Sequence, residues 1–211
     1  AILGWQRHRA ERAGIVVAAD RASHPNVLLI ILDTVRAKSL SLYGYGRPTT
    51  PELERLASRG ARFDRAIAPA PWTLPSHATM FTGQWPHALS ANWTTPLDAS
   101  HPTLAEVLRA RGYATAGFVA NAGYTGWESG LDRGFGHFED YGRTLEDLIH
   151  SMSLGRAVTA NSRVEMLAGG RIWLGRKDAA QISSDFLGWL DQERDRPFFV
   201  FLNYLDAHGP Y

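Results

Sequence analysis

Two uninterrupted apolar runs, each followed by polar residues, constrain the fold of this chain more than any other feature. The first run covers Asn26–Leu32 and stops at Asp33. The second covers Pro197–Leu202 and leads into a segment that contains Asp206 and His208. A run that is apolar on both faces is typical of a central strand in a parallel sheet. Open α/β sheets bind ligands at the carboxyl ends of their strands, so we expect a site at these polar residues.

Helix and strand patterns alternate between the two runs, and this order predicts a layered α/β fold. We predict helices that begin after Thr50 and at Thr103, and an amphipathic helix over Asp178–Arg194. Further strands are predicted over Ala61–Ala68 and Tyr113–Val119. Residues 121–145, rich in glycine and aromatic residues, are interpreted as a long functional loop. Residues 146–178 are weakly patterned, and we assign them no role.

Thr73 lies in a proline-rich stretch that restricts its backbone. Pro71 and Pro75 fix their own φ angles and disfavour helix in the residues before them. We expect Ser76 to cap a helix that runs from His77 to the stop at Gly83. Thr73 would then lie in a rigid turn before a helix N-terminus, where the local charge favours an anion. An ordinary proline-rich loop is the alternative.

The polar residues at the strand ends suit a metal site next to this hydroxyl. Carboxylates such as Asp33 and Asp206 suit hard or borderline cations, and an imidazole such as His208 suits zinc. A bound cation could lower the pKa of the Thr73 hydroxyl enough to make it a nucleophile. Each residue also has an ordinary structural alternative, namely a strand-end cap for the two aspartates and a satisfied histidine for His208.

Composition narrows the function classes. The chain has 211 residues, a formal net charge of +1 and no cysteine. A disulfide framework, a thiolate zinc site and a cysteine nucleophile are therefore excluded, and the charge gives no reason to expect nucleic-acid binding. Residues 1–25 are interpreted as a leader or the flank of a truncated membrane helix, with an anchor upstream of residue 1. We expect the chain to be a fragment of a longer protein.

Several segments together resemble the sulfatases, which belong to the alkaline phosphatase superfamily. The resemblance covers about residues 26–211 and follows the family order. Its opening segments are Val27–Ala37, Leu42–Tyr45 and Thr50–Ala57. Thr73–His77 with Thr82–Gly83 is similar to the nucleophile signature of that family. The later segments are Gly130–Phe135 and Leu205–Tyr211.

This resemblance implies a fold and a set of roles. The fold would be a large mixed, mostly parallel sheet sandwiched between helices, incomplete at the C-terminus, with residues 26–211 as the N-terminal part of the catalytic domain. Asp33 would bind a divalent cation (calcium, zinc or manganese), with Thr73 and Asp206 as further ligands. Thr73 would be the nucleophile, and His77 takes the place of an arginine that steadies it. His208 would bind the sulfuryl or phosphoryl oxygens of a small anionic ester.

Two departures leave the substrate open. Sulfatases oxidise Cys or Ser to formylglycine, whereas the methyl group on the Thr73 side chain would allow only a ketone. Thr34 stands where many sulfatases have a second acid. The motif around Thr73 is also similar to nucleotide pyrophosphatases/phosphodiesterases, which use a threonine nucleophile and two zinc ions.

We therefore predict a metal-dependent hydrolase of sulfate or phosphate esters. The alternatives are a phosphodiesterase, a phosphoethanolamine-type transferase or a non-catalytic anion-binding homologue. A periplasmic or membrane-associated location fits the transferase alternative. Residues 1–211 alone are expected to be inactive, because the later metal ligands of the family lie beyond residue 211.

Overall fold

The computed structural model describes residues 24–140, 177–193 and 195–209 of the chain. The predicted leader over residues 1–25 lies almost entirely outside this part, as does most of the unassigned stretch 146–178. In the described part of the chain, none of the helices has the length and hydropathy that a membrane span requires.

The described residues form an α/β structure with a four-stranded parallel sheet, which confirms the predicted fold class. Its strands are β1 (Val27–Leu32), β2 (Ala114–Val119), β3 (His137–Glu139) and β4 (Phe198–Tyr204), in the order β1-β4-β2-β3. The α-helices are α1 (Pro51–Ala57), α2 (Thr73–Thr82), α3 (Leu104–Ala110), α4 (Ala122–Thr125) and α5 (Ala179–Leu190). Short 3-10 helices cover Ala37–Ser39, Ser41–Tyr43, Pro86–Ala88 and Trp127–Ser129.

Helices cover both faces of the sheet. Successive side chains of β4 point to opposite sides, so this strand contributes to the packing on each face. Phe199 and Phe201 pack on one face in a core with Leu74 and Phe81 of α2. On the other face β4 packs in a second core that includes Ile182 and Trp189 of α5, Phe198, Val200 and Leu202. β4 is thus the strand around which both cores are built, and all but its last residue are buried.

β1 lies at an edge of the described sheet, so the prediction of a central strand with two buried faces is wrong for this strand. Val27, Leu29 and Ile31 pack on the core that contains α2. Leu28, Ile30 and Leu32 are 43%, 48% and 39% exposed. They lie on the face that α5 covers at β4 and β2, but the core on that face does not include them. An apolar run therefore indicated a strand correctly but not the cover on both faces.

The strand predicted over Ala61–Ala68 does not form. All residues of this segment are exposed, and the large apolar side chains of Phe63 and Ile67 are 73% and 89% exposed. Two hydrogen bonds instead join the segment to the loop after β1. Tyr43 Oη donates to the Phe63 carbonyl, and the Arg62 side chain donates through Nη1 to the Leu42 carbonyl. A short apolar pattern without a neighbouring strand does not pair.

The predicted loop over residues 121–145 contains regular structure in its described part. It holds α4, a 3-10 turn and β3, which pairs with β2 from Ala116↔His137 to Phe118↔Glu139. Gly134 has a φ of 87°, and a Cβ there would collide with the backbone of Ala105 and Glu106 in α3. Glycine is therefore required here both for its conformation and for a close approach to a helix.

The caps of the other helices follow the sequence in part. Thr103 forms a capping box with Glu106 at the start of α3, as the position of Thr103 predicts. Asp178 caps α5, which ends at Leu190 rather than at Arg194. Thr50 precedes α1 but makes no cap bond, because its hydroxyl binds Ser41 Oγ and accepts from the Leu42 amide.

Candidate active site

The chain turns sharply after Asp33, at the carboxyl end of β1. The Asp33 amide donates to the Tyr204 carbonyl at 2.9 Å, which continues the pairing with β4. Thr34 has a φ of 61°, a left-handed conformation that is costly for a β-branched residue. Its hydroxyl donates to the Ala207 carbonyl at 3.2 Å. Thr34 thus joins the Asp33 turn to the segment after β4 and does not act as a second acid.

Thr73 is the first residue of α2, so the prediction that Ser76 caps a helix starting at His77 is wrong. Trp72 is the N-cap and has extended backbone, and the Ser76 amide already donates to the Trp72 carbonyl at 3.1 Å. Pro75 lies in the first helical turn, where a missing N–H costs no hydrogen bond. Gly83 ends the helix in a left-handed conformation, as predicted.

The structure brings Thr73 and Asp33 together. Thr73 Oγ1 donates to Asp33 Oδ2 over 3.4 Å, a long hydrogen bond between side chains that are 40 residues apart. Both side chains are partly accessible to solvent. The hydroxyl also lies at the start of a helix whose N-cap supplies no side-chain acceptor. The first amides of such a helix have no intrahelical partner and favour negative charge nearby.

Two asparagines complete this group and were missed in the sequence. Asn121 Nδ2 donates to the same Asp33 Oδ2 over 3.2 Å. The backbone N–H of Asn121 in turn donates to Asn203 Oδ1 over 3.1 Å. Asn121 follows β2 closely and Asn203 lies near the end of β4, so their positions at strand ends were the available signal. We call Asp33, Thr73, Asn121 and Asn203 the Asp33 cluster.

His77 lies one helical turn after Thr73 and contacts its backbone. His77 Nδ1 is 2.8 Å from the Thr73 carbonyl oxygen, which can only accept, so Nδ1 carries the proton. The side chain is 3% exposed, and this burial lowers the pKa of His77, although the Thr73 hydrogen bond and the Asp33 charge oppose the shift. The ring is therefore neutral at pH 7 and holds the Thr73 backbone in place.

The two residues after β4 point to different partners. Asp206 is exposed, and its Oδ1 accepts from the amide of Ala179, the first residue of α5, at 3.0 Å. His208 Nδ1 is 2.7 Å from the Gly209 carbonyl oxygen. Within the described part of the chain, no hydrogen bond joins either side chain to Asp33 or Thr73. Their predicted roles as metal ligand and substrate-binding residue stay predictions.

The side chains at Asp33 offer the type of donor atom that a divalent cation prefers. The Asp33 carboxylate and the Thr73 hydroxyl are oxygen donors within hydrogen-bond reach of each other. A hard cation takes about six oxygens, some of them from water. No group of three or more His, Asp or Glu side chains in the described segments is arranged to hold a metal ion. These residues therefore fit part of a cation shell.

Comparisons with known proteins identify the family of this chain. The family model described as Sulfatase matches residues 25–211. The chain is 38% identical to arylsulfatase A of Bos taurus over 120 residues, which cover 53% of this chain and 22% of that protein. It therefore spans about a fifth of the length of that relative.

Solved structures of two enzymes share the fold of this chain. The phosphonate monoester hydrolase of Agrobacterium radiobacter has a TM-score of 0.63 and 25% identity, with 88% of this chain and 42% of that one covered. The soluble domain of lipooligosaccharide phosphoethanolamine transferase A from Neisseria meningitidis has a TM-score of 0.57 and 18% identity, with 92% and 49% covered. The fold is therefore that of the alkaline phosphatase superfamily, and the chain belongs to its sulfatase family.

Proposed function

We propose that the full-length protein hydrolyses sulfate or phosphate esters with Thr73 as the nucleophile. The observation that carries this proposal is the position of Thr73 Oγ1, which lies at the first residue of α2 and 3.4 Å from Asp33 Oδ2. A hydroxyl with a carboxylate on one side and a helix N-terminus on the other has an acceptor for its proton and a positive field for its oxygen anion.

The reaction would have two steps. Thr73 Oγ attacks the sulfur or phosphorus atom, and its proton passes to Asp33 and from there to solvent. The bond to the leaving oxygen breaks, and that oxygen takes up a proton from solvent to form the alcohol. The Thr73 ester that results is cleaved by water, which restores the hydroxyl and releases sulfate or phosphate. The first amides of α2 would stabilise the negative charge on the equatorial oxygens of the transferred group.

Asn121 and His77 would act as positioning residues. Asn121 holds the Asp33 carboxylate, and His77 holds the carbonyl of Thr73. A divalent cation held by Asp33 and Thr73 would favour the ionised hydroxyl and offset charge on the ester. We also propose that His208 binds the ester oxygens and that Asp206 adds a ligand to the cation.

The chemistry of Thr73 favours phosphate over sulfate esters. Its side-chain carbon bears a methyl group, so it cannot become the aldehyde on which sulfatases rely. A hydroxyl nucleophile matches phosphoryl transfer, and the similarity to a phosphonate monoester hydrolase supports this choice. A phosphodiesterase or a phosphoethanolamine-type transferase is the second candidate, on the same observation.

The test measures turnover of 4-nitrophenyl sulfate, 4-nitrophenyl phosphate and bis(4-nitrophenyl) phosphate by full-length variants. Thr73→Ala should lower kcat by about 10³-fold or more, and Thr73→Ser should keep part of the rate. Thr79→Ala is the matched control. It removes a hydroxyl from the same helix, and this hydroxyl has no hydrogen-bond partner among the described residues. Mass spectrometry of quenched reactions should find the ester on the peptide that contains Thr73.

Wild-type turnover by Thr73→Ala would refute the assignment. Ester binding without turnover by the wild type, in the presence of calcium, zinc or manganese, would instead indicate a non-catalytic homologue. Turnover of the diester alone would favour the phosphodiesterase.

A further inference from the structure

Thr34 has a backbone conformation that its side chain disfavours. Its φ of 61° lies in the left-handed region, and every other positive φ in the described chain belongs to a glycine. This conformation is strained for a β-branched residue, whereas glycine adopts it freely. An interaction of the Thr34 side chain that glycine cannot make would offset the strain.

The Thr34 hydroxyl makes such an interaction at the ends of β1 and β4. The Asp33 backbone N–H donates to the Tyr204 carbonyl over 2.9 Å, which continues the strand pairing. Further along the chain, the Ala207 carbonyl accepts from Thr34 Oγ1 over 3.2 Å, although the two residues are 173 positions apart. The side chain of Thr34 thus reaches beyond the strand pairing into the turn that follows β4.

The carbonyl that Thr34 binds belongs to the peptide unit before His208. The Ala207 carbonyl and the His208 N–H are parts of this one planar unit. The N–H donates to the Leu205 carbonyl over 3.0 Å, and Leu205 is buried, so the turn is anchored in the core. The imidazole is oriented by the same turn, since Nδ1 is 2.7 Å from the Gly209 carbonyl oxygen. One side of the peptide unit is therefore held by Leu205 and the other by Thr34.

Thr34 also follows directly after the carboxylate of the Asp33 cluster. Asp33 Oδ2 accepts from Thr73 Oγ1 over 3.4 Å and from Asn121 Nδ2 over 3.2 Å. Two adjacent residues of one turn therefore have different partners. Asp33 contacts the side chain of Thr73, and Thr34 contacts the backbone next to His208. The Thr34 hydrogen bond is thus a link that can fix the position of His208 relative to Thr73.

We propose that Thr34 is a positioning residue that holds the His208 imidazole where it binds the oxygens of the ester attacked by Thr73. The inference rests on the proposed function for the roles of His208 and Thr73, whereas the contact of Thr34 with the peptide unit before His208 does not depend on it. An imidazole that is already oriented needs less ordering when the ester binds, so Thr34 should act on affinity. Backbone strain at a residue of a binding site is typical of such preorganisation.

The experiment is a double-mutant cycle in the full-length protein, which shows whether two residues act through each other. Isothermal titration calorimetry measures the binding of inorganic phosphate with manganese held constant, and steady-state kinetics of 4-nitrophenyl phosphate give KM and kcat. Thr34→Val replaces the hydroxyl with a methyl group, Thr34→Ser keeps the hydroxyl, and Thr34→Gly relieves the strained φ. Each is also combined with His208→Ala. Thr49→Val is the matched control, since Thr49 Oγ1 donates to the Ser39 carbonyl on the exposed loop after β1.

We expect Thr34→Val to weaken phosphate binding and to raise KM by about 2- to 10-fold, the effect of one hydrogen bond, with a smaller change in kcat. Thr34→Ser should restore most of the affinity. Thr34→Gly should lose affinity as Thr34→Val does, although its unfolding midpoint stays near or above that of the wild type, a combination that a purely structural role would not give. In the His208→Ala background, neither variant should weaken binding further. Thr49→Val should bind phosphate like the wild type.

Additive losses from Thr34→Val and His208→Ala would overturn the proposal, as would unchanged phosphate binding in either single variant or a loss that Thr34→Ser does not restore. If the losses are non-additive while Thr73→Ala keeps full turnover, Thr34 positions His208 and the nucleophile assignment fails. If Thr73→Ala loses turnover while Thr34→Val binds phosphate like the wild type, the nucleophile stands and the positioning role fails.

Discussion

Two clusters of polar side chains in this protein differ in how completely their charges and hydrogen-bonding groups are paired. The second, which we call the Lys177 cluster, consists of Lys177, Glu139, Asp185 and His137. Lys177 Nζ is 3.1 Å from Glu139 Oε2 and 2.9 Å from Asp185 Oδ2, and His137 Nε2 is 2.7 Å from Glu139 Oε1. Opposite charges are paired there, and the cluster joins β3 to α5.

The Asp33 cluster has no such balance. Asp33 receives two hydrogen bonds from neutral groups, and the described residues provide it with no ion pair. Two nitrogen atoms in or beside this cluster, Asn203 Nδ2 and His77 Nε2, are buried without a hydrogen-bond partner among the described residues. Buried polar groups normally have partners, so the Asp33 cluster is less completely hydrogen-bonded than the Lys177 cluster. The Lys177 cluster should therefore govern stability and the Asp33 cluster activity.

The largest effect should come from Asp33→Asn in the full-length protein. Loss of the carboxylate charge should lower kcat/KM by about 10³-fold, because several kcal/mol of cation binding and proton acceptance are lost. Bound metal, measured by elemental analysis, should fall while the unfolding midpoint stays near that of the wild type. Asp64→Asn, on an exposed residue paired with Arg62, is the control. Unchanged metal content would count against Asp33 as a ligand.

Lys177→Ala should give the opposite result. Lys177 is 1% exposed, and its removal leaves the Glu139 and Asp185 carboxylates close together without their cation. Breaking such a buried pair should lower the free energy of unfolding by about 3 kcal/mol. Urea unfolding measures the loss, and exposed Lys38→Ala should change it by less than about 0.5 kcal/mol. A loss of turnover without loss of stability would mean that the two clusters are not separate.

Asn203→Ala should affect both properties to a smaller degree. Asn203 is fully buried, and its Oδ1 accepts from the Asn121 amide. The variant leaves that amide unsatisfied, which should cost about 1 to 2 kcal/mol of unfolding free energy. Activity should fall by about 10-fold, since Asn121 would no longer hold Asp33 firmly. Activity equal to that of the wild type would remove Asn203 from the site.

The smallest effect concerns the acid stability that Glu139 provides. Burial raises the pKa of Glu139, but the His137 hydrogen bond and the Lys177 charge together outweigh it and bring the pKa from 4.5 to about 2. The folded pKa lies below the unfolded value, so the stabilisation is complete above pH 4.5 and is lost as the pH falls toward 2. The difference in unfolding free energy between wild type and Glu139→Gln should shrink as the pH falls below 4.5. A constant difference down to pH 2.5 would contradict this.

The sequence predicted the positions of individual strands and helix caps better than the burial and pairing of those elements. The strand patterns of β1, β2 and β4 and the Thr103 cap of α3 appear in the structure, because each depends on local residue order. The exposed face of β1 and the missing strand at Ala61–Ala68 depend on neighbours that one segment does not specify. Asp33 and Thr73 were predicted as site residues, and the structure brings them together. Asn121 and Asn203 escaped notice because a single asparagine at a strand end has no distinctive pattern.

The pairing of β1 with β4 has a consequence for biosynthesis. The hydrogen bond from the Phe198 amide to Asn26 Oδ1 joins residues that are 172 positions apart, and the register of the two strands follows from there. A ribosome needs roughly 10 to 30 seconds to translate that distance. During this time the apolar side chains and backbone amides of β1 lack their partner β4, which has not yet been made. Chaperone binding to this strand would thus protect the half-made chain from aggregation.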